Sequence, residues 1–379
     1  MMTEKSGDRI WALFVDAREN DVASIKSILR SKNLLSSTRK AARVGESTVA
    51  FPLSSAEGLQ DLHDVELKLS DPELFARVHN ECPYEKLLCG IKGLLRAKGL
   101  VLDDSLLAEV PKHWLRHGDL VLLPSTAFAH PFWQQLGQDL WRTCCDTLRC
   151  SRIACNGAVT PDGYRSPTAK LLLGEDGWVV HVDNRIRYTF DITRCMFSPG
   201  NVTEKLRIAR FKCHGETVVD LYAGIGYFTL PFLVHAGADL VHACEWNPDA
   251  VEALQRNLHL NKVQDRCVVH FGDCREVCPA GVADRVNLGL IPSSESGWAT
   301  ACRALKPKGW MHVHENVPDD KKETRVRQVC AAMEQIFLQV RGTAWTVECL
   351  HVERVKSYAP HVHHVVMDLR CEQTLKDMS

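Results

Sequence analysis

The stretch Thr217-Val-Val-Asp-Leu-Tyr-Ala-Gly-Ile-Gly-Tyr-Phe-Thr-Leu-Pro-Phe-Leu233 does most to limit what this chain can fold into, because it reads as a buried strand, a glycine turn and a helix start in unbroken succession. Val218, Val219 and Leu221 form a short apolar run. Gly224 and Gly226 permit a tight turn with close backbone approach, and Tyr227 to Leu233 resume with apolar spacing. A second apolar strand ends at His242-Ala-Cys-Glu245, about twenty residues further on, where a carboxylate can take the hydroxyls of a ribose. A dinucleotide site would open its helix with a third glycine for the pyrophosphate, yet Tyr227-Phe-Thr stands there. That bulk points to a smaller nucleoside ligand, of which S-adenosylmethionine is the commonest.

From Thr217 onward strands and helices alternate. The strands expected are 217–221, 239–244, 266–271, 285–291, 310–314, 345–351 and 362–369, with helices at 247–260, 295–304 and 323–340. Such alternation builds a mostly parallel α/β sheet that binds ligands at the carboxyl ends of its strands. The final two strands have no helix between them, so the last is expected to run antiparallel. The fold class is therefore a Rossmann-like, seven-stranded domain of the kind used by S-adenosylmethionine-dependent transferases, preceded by smaller α+β domains.

A chain of 379 residues has room for two or three domains. We place a small α+β domain at 1–65, with strands near 10–15 and 47–51 around a helix capped by Asp21, and a middle domain at 80–203. The catalytic domain follows at 204–379. Residues 54–80 read as a linker. Two turn signals in succession, Glu175-Asp-Gly177 and Asp183-Asn184, predict an antiparallel sheet of strands 171–174, 178–182 and 185–192. The N-terminus lacks the apolar core of a signal peptide and no apolar run spans a bilayer, so a cytoplasmic protein without membrane association is expected. A net charge of −1 means that any nucleic-acid site must be a local patch. Seven Lys and Arg against three Asp and Glu between His181 and Lys212 supply one, including Arg185, Arg187, Arg207 and Arg210, although a solvated face would look the same. The 16 cysteines are scattered, with no C-x-x-C pair, and read as buried hydrophobes; no metal is expected.

Asp220 ends the first strand, where it can orient the turn. Asp273, after Phe271-Gly, ends the third where an adenine amino group could be read, with the Cys274 amide beside it. Asn287-Leu-Gly-Leu-Ile-Pro-Ser-Ser294 ends the fourth. Enzymes that methylate exocyclic base amines carry two prolines and an aromatic there, so a different target atom is implied.

Six separated motifs occur in an order that resembles the tRNA guanine methyltransferase and wybutosine-synthesising transferase family. They are Phe197-Ser-Pro-Gly-Asn-Val-Thr-Glu-Lys205, Asp220-Leu-Tyr-Ala-Gly-Ile-Gly-Tyr-Phe-Thr-Leu-Pro-Phe, Cys244-Glu-Trp-Asn-Pro, Phe271-Gly-Asp, Asn287-Leu-Gly-Leu-Ile-Pro-Ser-Ser and Val355-Lys-Ser-Tyr-Ala-Pro360. The resemblance covers about residues 110–370. It implies a transferase that moves the 3-amino-3-carboxypropyl group of S-adenosylmethionine onto 4-demethylwyosine, 3′ of the anticodon in the phenylalanine tRNA stem-loop, with no stable protein partner. Asn287-Leu288-Gly289 stands where the methyltransferase branch has Asn-Leu-Pro. A guanine methyltransferase at the same position and a catalytically silent tRNA-binding protein are the alternatives. The resemblance also implies ligand contacts from Ser198 and Lys205 around the methionine part, from Glu245 to the ribose, and from Asp273 with Cys274 to adenine. Glu204 stands where the methyltransferase branch keeps its general base, and Arg165 is the middle-domain candidate for an arginine near the target base.

Overall fold

The computed structural model describes residues 10–16, 22–32, 34–36, 39–55, 65–70, 74–75, 82–101, 103–157, 169–196 and 199–374. Arg165 and Ser198 lie outside the described residues. The chain divides into two compact units, Met1–Lys86 and Leu87–Ser379.

In the first unit an antiparallel sheet runs in the order Ala42–Val44, Thr48–Pro52, Ile10–Asp16, Glu66–Ser70, and the helix Val22–Ser31 is part of the same unit. Leu13, Val15, Ile25, Leu29 and Phe51 form a core between sheet and helix. Residues 66–70, expected to be part of a linker, are instead an edge strand whose Leu67 lies opposite Leu13. Glu-Leu-Lys-Leu-Ser alternates at the strand period, but Leu67 and Leu69 are exposed, so the alternation carries no burial signal.

In the second unit a mixed sheet runs in the order Leu115–His117, Leu120–Leu123, Arg152–Cys155, Lys170–Leu173. The expected three-stranded antiparallel sheet does not form: Lys170–Leu173 pairs with Arg152–Cys155, leaving Trp178–Asp183 and Ile186–Asp191 as a two-stranded hairpin. Arg152 diverts the chain. Its guanidinium binds Asp119, Asp176 and the Trp178 carbonyl at 2.7–3.0 Å, and its stem fills the space where Gly174, at φ +124°, has no Cβ.

The second unit also contains the seven-stranded sheet, with β1 (Thr217–Asp220), β2 (Leu240–Glu245), β3 (Cys267–Phe271), β4 (Ala283–Leu288), β5 (Leu305–Pro318), β6 (Trp345–Ala359) and β7 (Val362–Gln373). The order is β3-β2-β1-β4-β5-β7-β6. Strands β1 to β5 are parallel, and β7 enters antiparallel between β5 and β6, as the absence of a crossover helix requires. Helices α1 (Val202–Ile208), α2 (Pro248–Leu260), α3 (Trp298–Ala304) and α4 (Lys322–Arg341) accompany it. Asn247 caps α2 by accepting from the Asp249 amide at 3.0 Å. Helix α1 starts at Val202, with Asn201 at its N-cap position making no side-chain cap hydrogen bond. The Ile186–Asp191 strand contributes Ile186, Tyr188 and Phe190 to the same core as Ile225, Leu254 and Leu258, and Asn257 of α2 accepts from the Thr189 amide at 2.5 Å.

Candidate functional site

A cavity of about 450 Å³ opens at the carboxyl ends of β1 to β4, within the size range of ligand sites. The glycine turn forms its base. Gly224 and Gly226 have φ of +55° and +100°, and a Cβ on Gly226 would stand 3.0 Å from Leu254 and 3.2 Å from Leu230 in the core. Gly226→Ala is therefore expected to destabilise the domain by about 1–3 kcal/mol, because strained backbone and overpacking act at one position. A urea midpoint equal to wild type at unchanged slope would refute it.

Glu245, at the end of β2, lines the cavity and organises its wall. One carboxylate oxygen accepts from the Gly224 amide at 2.7 Å, the other from Trp246 and Asn247 at 2.9 and 2.8 Å. Burial raises its pKa, and the three amides oppose that rise. At the end of β3, Asp273 and Cys274 also line the cavity. Asp273 accepts from the Arg275 amide at 2.9 Å and pairs with the Arg275 guanidinium, which holds its carboxyl below the usual range. Burial pushes the Cys274 thiol up to about 11, so it is protonated at neutral pH.

Asp220 and Asn287 sit behind this surface rather than on it. Asp220 is fully buried and accepts from Thr229 Oγ1 at 2.8 Å and Asn287 Nδ2 at 3.0 Å, tying β1, β4 and the helix after the turn together. Asn287 lies beneath Gly289, which does line the cavity; a Cβ there would meet Phe228 at 3.0 Å and Asn287 at 3.2 Å.

Glu204 and Lys205 are not on the cavity wall. Glu204 is fully buried in a bidentate pair with Arg207 at 2.7 Å, and Arg207 also grips Asp368. The network continues through His312, whose Nδ1 lies 2.6 Å from Asp368, to Arg285 and Glu216. Because Arg285 can only donate to His312 Nε2, the imidazole proton sits on Nδ1 and points at Asp368. Burial pushes the Glu204 carboxyl up to about 7, against the pull of Arg207. Lys205 is buried as well, its ammonium 2.8 Å from Asp183 and over the Tyr188 ring at 4.8 Å. The basic patch loses two members accordingly: Lys205 and Arg207 face carboxylates inside, whereas Arg185, Arg187 and Arg210 are exposed.

The cavity wall also includes Lys356 and Tyr358, to which the sequence alone assigns no role. They stand in the far part of β6, within the Val355-Lys-Ser-Tyr-Ala-Pro360 motif, and that motif was the only signal for them.

Comparison with known proteins places these features in one family. The TRM5/TYW2 methyltransferase domain matches residues 179–340, and the TYW2 N-terminal domain matches residues 92–177. The chain is similar to the tRNA wybutosine-synthesizing protein 2 homolog of Rattus norvegicus, at 42% identity over 91% of this chain and 93% of the relative. It is similar to the Homo sapiens homolog at 39% identity over 98% of this chain and 96% of that one. Among solved structures, Pyrococcus horikoshii TYW2 in complex with MeSAdo aligns at 31% identity and a TM-score of 0.59, covering 75% of this chain and 99% of that one. With relatives this similar along nearly its whole length, the chain belongs to the TRM5/TYW2 family, in the branch of tRNA wybutosine-synthesizing protein 2.

Proposed function

We infer that the chain is an S-adenosylmethionine-dependent transferase of wybutosine biosynthesis, moving the 3-amino-3-carboxypropyl group to 4-demethylwyosine in tRNA. The observation that carries this reading is a nucleoside-sized cavity over the glycine turn, with acids at the ends of β2 and β3, in a chain whose relatives are wybutosine-synthesising. A carboxylate offers about four lone-pair sites. Three on Glu245 are occupied by backbone amides, leaving one for a ribose hydroxyl. Asp273 and the Cys274 amide stand where adenine would lie. Asp220, Asn287, Gly224 and Gly226 shape the turn.

The reaction needs alignment rather than a metal-bound nucleophile. A sulfonium activates each of its three carbons, so the group transferred is the one held in line with the nucleophile. A ring carbon of the base uses an electron pair to form a bond to the methionine γ-carbon. The bond from that carbon to sulfur breaks with its pair going to sulfur, which leaves neutral 5′-methylthioadenosine. The proton on the attacked ring carbon then passes to water. The acceptor is the purine 3′ of the anticodon in phenylalanine tRNA, with the exposed Arg185, Arg187 and Arg210 available to its phosphates. No helix among the described residues is long and apolar enough to cross a membrane. We assign the enzyme to the cytoplasm, acting without a stable protein partner.

The test is incubation with phenylalanine tRNA carrying 4-demethylwyosine and S-adenosylmethionine labelled separately in the carboxyl and methyl carbons. Carboxyl label alone should enter the RNA. A parallel incubation uses phenylalanine tRNA with unmodified guanine at that position: methyl label entering it would make the protein a guanine methyltransferase, and neither label entering either tRNA would make it a silent tRNA binder.

A further inference from the structure

Strand β6 runs on past the expected end at residue 351, and its far part brings Tyr358 to the cavity wall. Against β7, Ser357 lies opposite His363 and Ala359 opposite Val362, so Tyr358 is the extra residue of a bulge. A bulge leaves its extra residue outside the ladder and re-aims the side chain, and such features gather beside active sites. The hairpin end that carries it is also tied to the end of β5. There the Asp319 amide donates to the His361 carbonyl at 3.0 Å, and the Asp319 carboxylate lies 2.8 Å from His363 Nε2. Tyr358 therefore stands on a fixed edge, and yet it is 58% exposed.

The other aromatic residues in the wall are Tyr222, Tyr227, Phe228 and Trp246, and each is committed elsewhere. Phe228 is buried and packs on His314, with ring centroids 4.9 Å apart. Tyr227 donates its hydroxyl hydrogen to the Met196 carbonyl and lays its ring where Gly224 has no Cβ. Tyr222 fills the corresponding space beside Gly297. Trp246 is half-exposed, but it follows Glu245 directly and gives that carboxylate its amide, at the ribose end of the site. Tyr358 comes from the β6–β7 hairpin, which β1, β4 and β5 separate from β2 and β3 in the sheet. It belongs to the opposite side of the cavity from Glu245 and Asp273, the side that a nucleoside on those acids leaves to the acceptor.

We propose that Tyr358 is the platform on which the acceptor base stacks after leaving the anticodon loop, and that this contact holds the plane of the base for attack. The proposal rests on the tRNA reading above and deepens it. An enzyme that acts on a single base draws it out of its stack, and an aromatic face restores the stacking that the base gives up. Stacking needs only a ring, so the tyrosine hydroxyl is dispensable and the choice of reacting atom falls to other groups.

The deciding measurement is affinity for two forms of phenylalanine tRNA, one carrying 4-demethylwyosine and one with an abasic nucleotide at the same position, by filter binding on wild type, Tyr358→Ala and Tyr358→Phe. Tyr358→Ala should weaken the base-bearing tRNA by roughly 5–100-fold, the scale of stacking one base on an aromatic ring, and leave the abasic tRNA within about twofold. Tyr358→Phe should match wild type on both. Tyr358→Leu, which keeps apolar bulk without an aromatic face, should behave as alanine does and covers the case in which Tyr358→Ala fails to fold. Calorimetry with 5′-methylthioadenosine should give wild-type affinity for all three variants. Equal weakening of both tRNAs would overturn the proposal by placing the ring on the RNA backbone, and unchanged affinity for both would overturn it by placing the base elsewhere. Loss of 5′-methylthioadenosine binding would overturn it by assigning the ring to the nucleoside. Failure of wild type to transfer carboxyl label to tRNA would instead count against the proposed reaction and leave the comparison of the two tRNAs standing.

Discussion

Arg207→Met is expected to lower the unfolding free energy by about 3–5 kcal/mol at pH 7, the scale for removing one partner of a buried ion pair. Arg207 is the single cation between Glu204, which is fully buried, and Asp368, which is nearly so. Methionine fills comparable volume but leaves both carboxylates uncompensated. The pH dependence follows from the two acids. Burial holds the Glu204 pKa at about 7, above its ordinary 4.5, so the folded state keeps a proton that the unfolded chain releases in that window; stability falls as pH rises from 4.5 to 7. Burial also acts to raise the Asp368 pKa, but His312 and Arg207 outweigh it and hold the carboxyl well below 3.8; its contribution is present above pH 3.8 and is lost as pH falls. Without Arg207 the Glu204 pKa climbs further, so the mutant keeps losing stability above pH 7 where wild type has levelled off. The deficit should therefore widen from pH 7 to 8.5 and shrink below pH 3.8, which urea unfolding at several pH values would follow. A deficit under about 1 kcal/mol at pH 7 would mean that water reaches the pair and screens it.

What could be read from the sequence was whatever depends on neighbours along the chain. Buried parallel strands are unbroken apolar runs, so Val218-Val219 and Val241-His-Ala-Cys244 announced themselves, and Asn247-Pro248 marked the start of α2. The glycine turn and Glu245 were legible for the same reason, since turn and acid keep a fixed spacing. Burial of charge was not. Arg207 meets a carboxylate 161 residues away, and Lys205 meets Asp183 across a hairpin, so both looked like members of a solvated basic face. The far half of β6 is Val352-Glu-Arg-Val-Lys-Ser-Tyr-Ala359, polar enough that no period distinguishes it, and bulges have no sequence spacing at all. The resemblance of Val355-Lys-Ser-Tyr-Ala-Pro360 marked the segment without showing what it touches. The Lys170–Leu173 strand was found but misplaced, because its partner is selected by Arg152 rather than by the adjacent turn.

Glu245→Ala should weaken S-adenosylmethionine by at least about 1.5–3 kcal/mol, or roughly 10–150-fold, with the domain still folded. The lower bound is the loss of one charge-assisted bond to the ribose. A further loss is expected because the same carboxylate gathers the amides of Gly224, Trp246 and Asn247, which join the glycine turn to the end of β2. Glu245→Gln tests which part matters. A side-chain amide has one acceptor oxygen, able to serve Trp246 and Asn247, but it then turns an NH2 donor toward the Gly224 amide, donor against donor. Glutamine should thus be no better than alanine for binding, even though its volume is unchanged, and 5′-methylthioadenosine should suffer as much as S-adenosylmethionine because both carry the ribose. Near wild-type affinity in Glu245→Gln would mean that a neutral acceptor is enough and that the three amides do not depend on the carboxylate. Selective loss of S-adenosylmethionine would move Glu245 from the ribose to the tail.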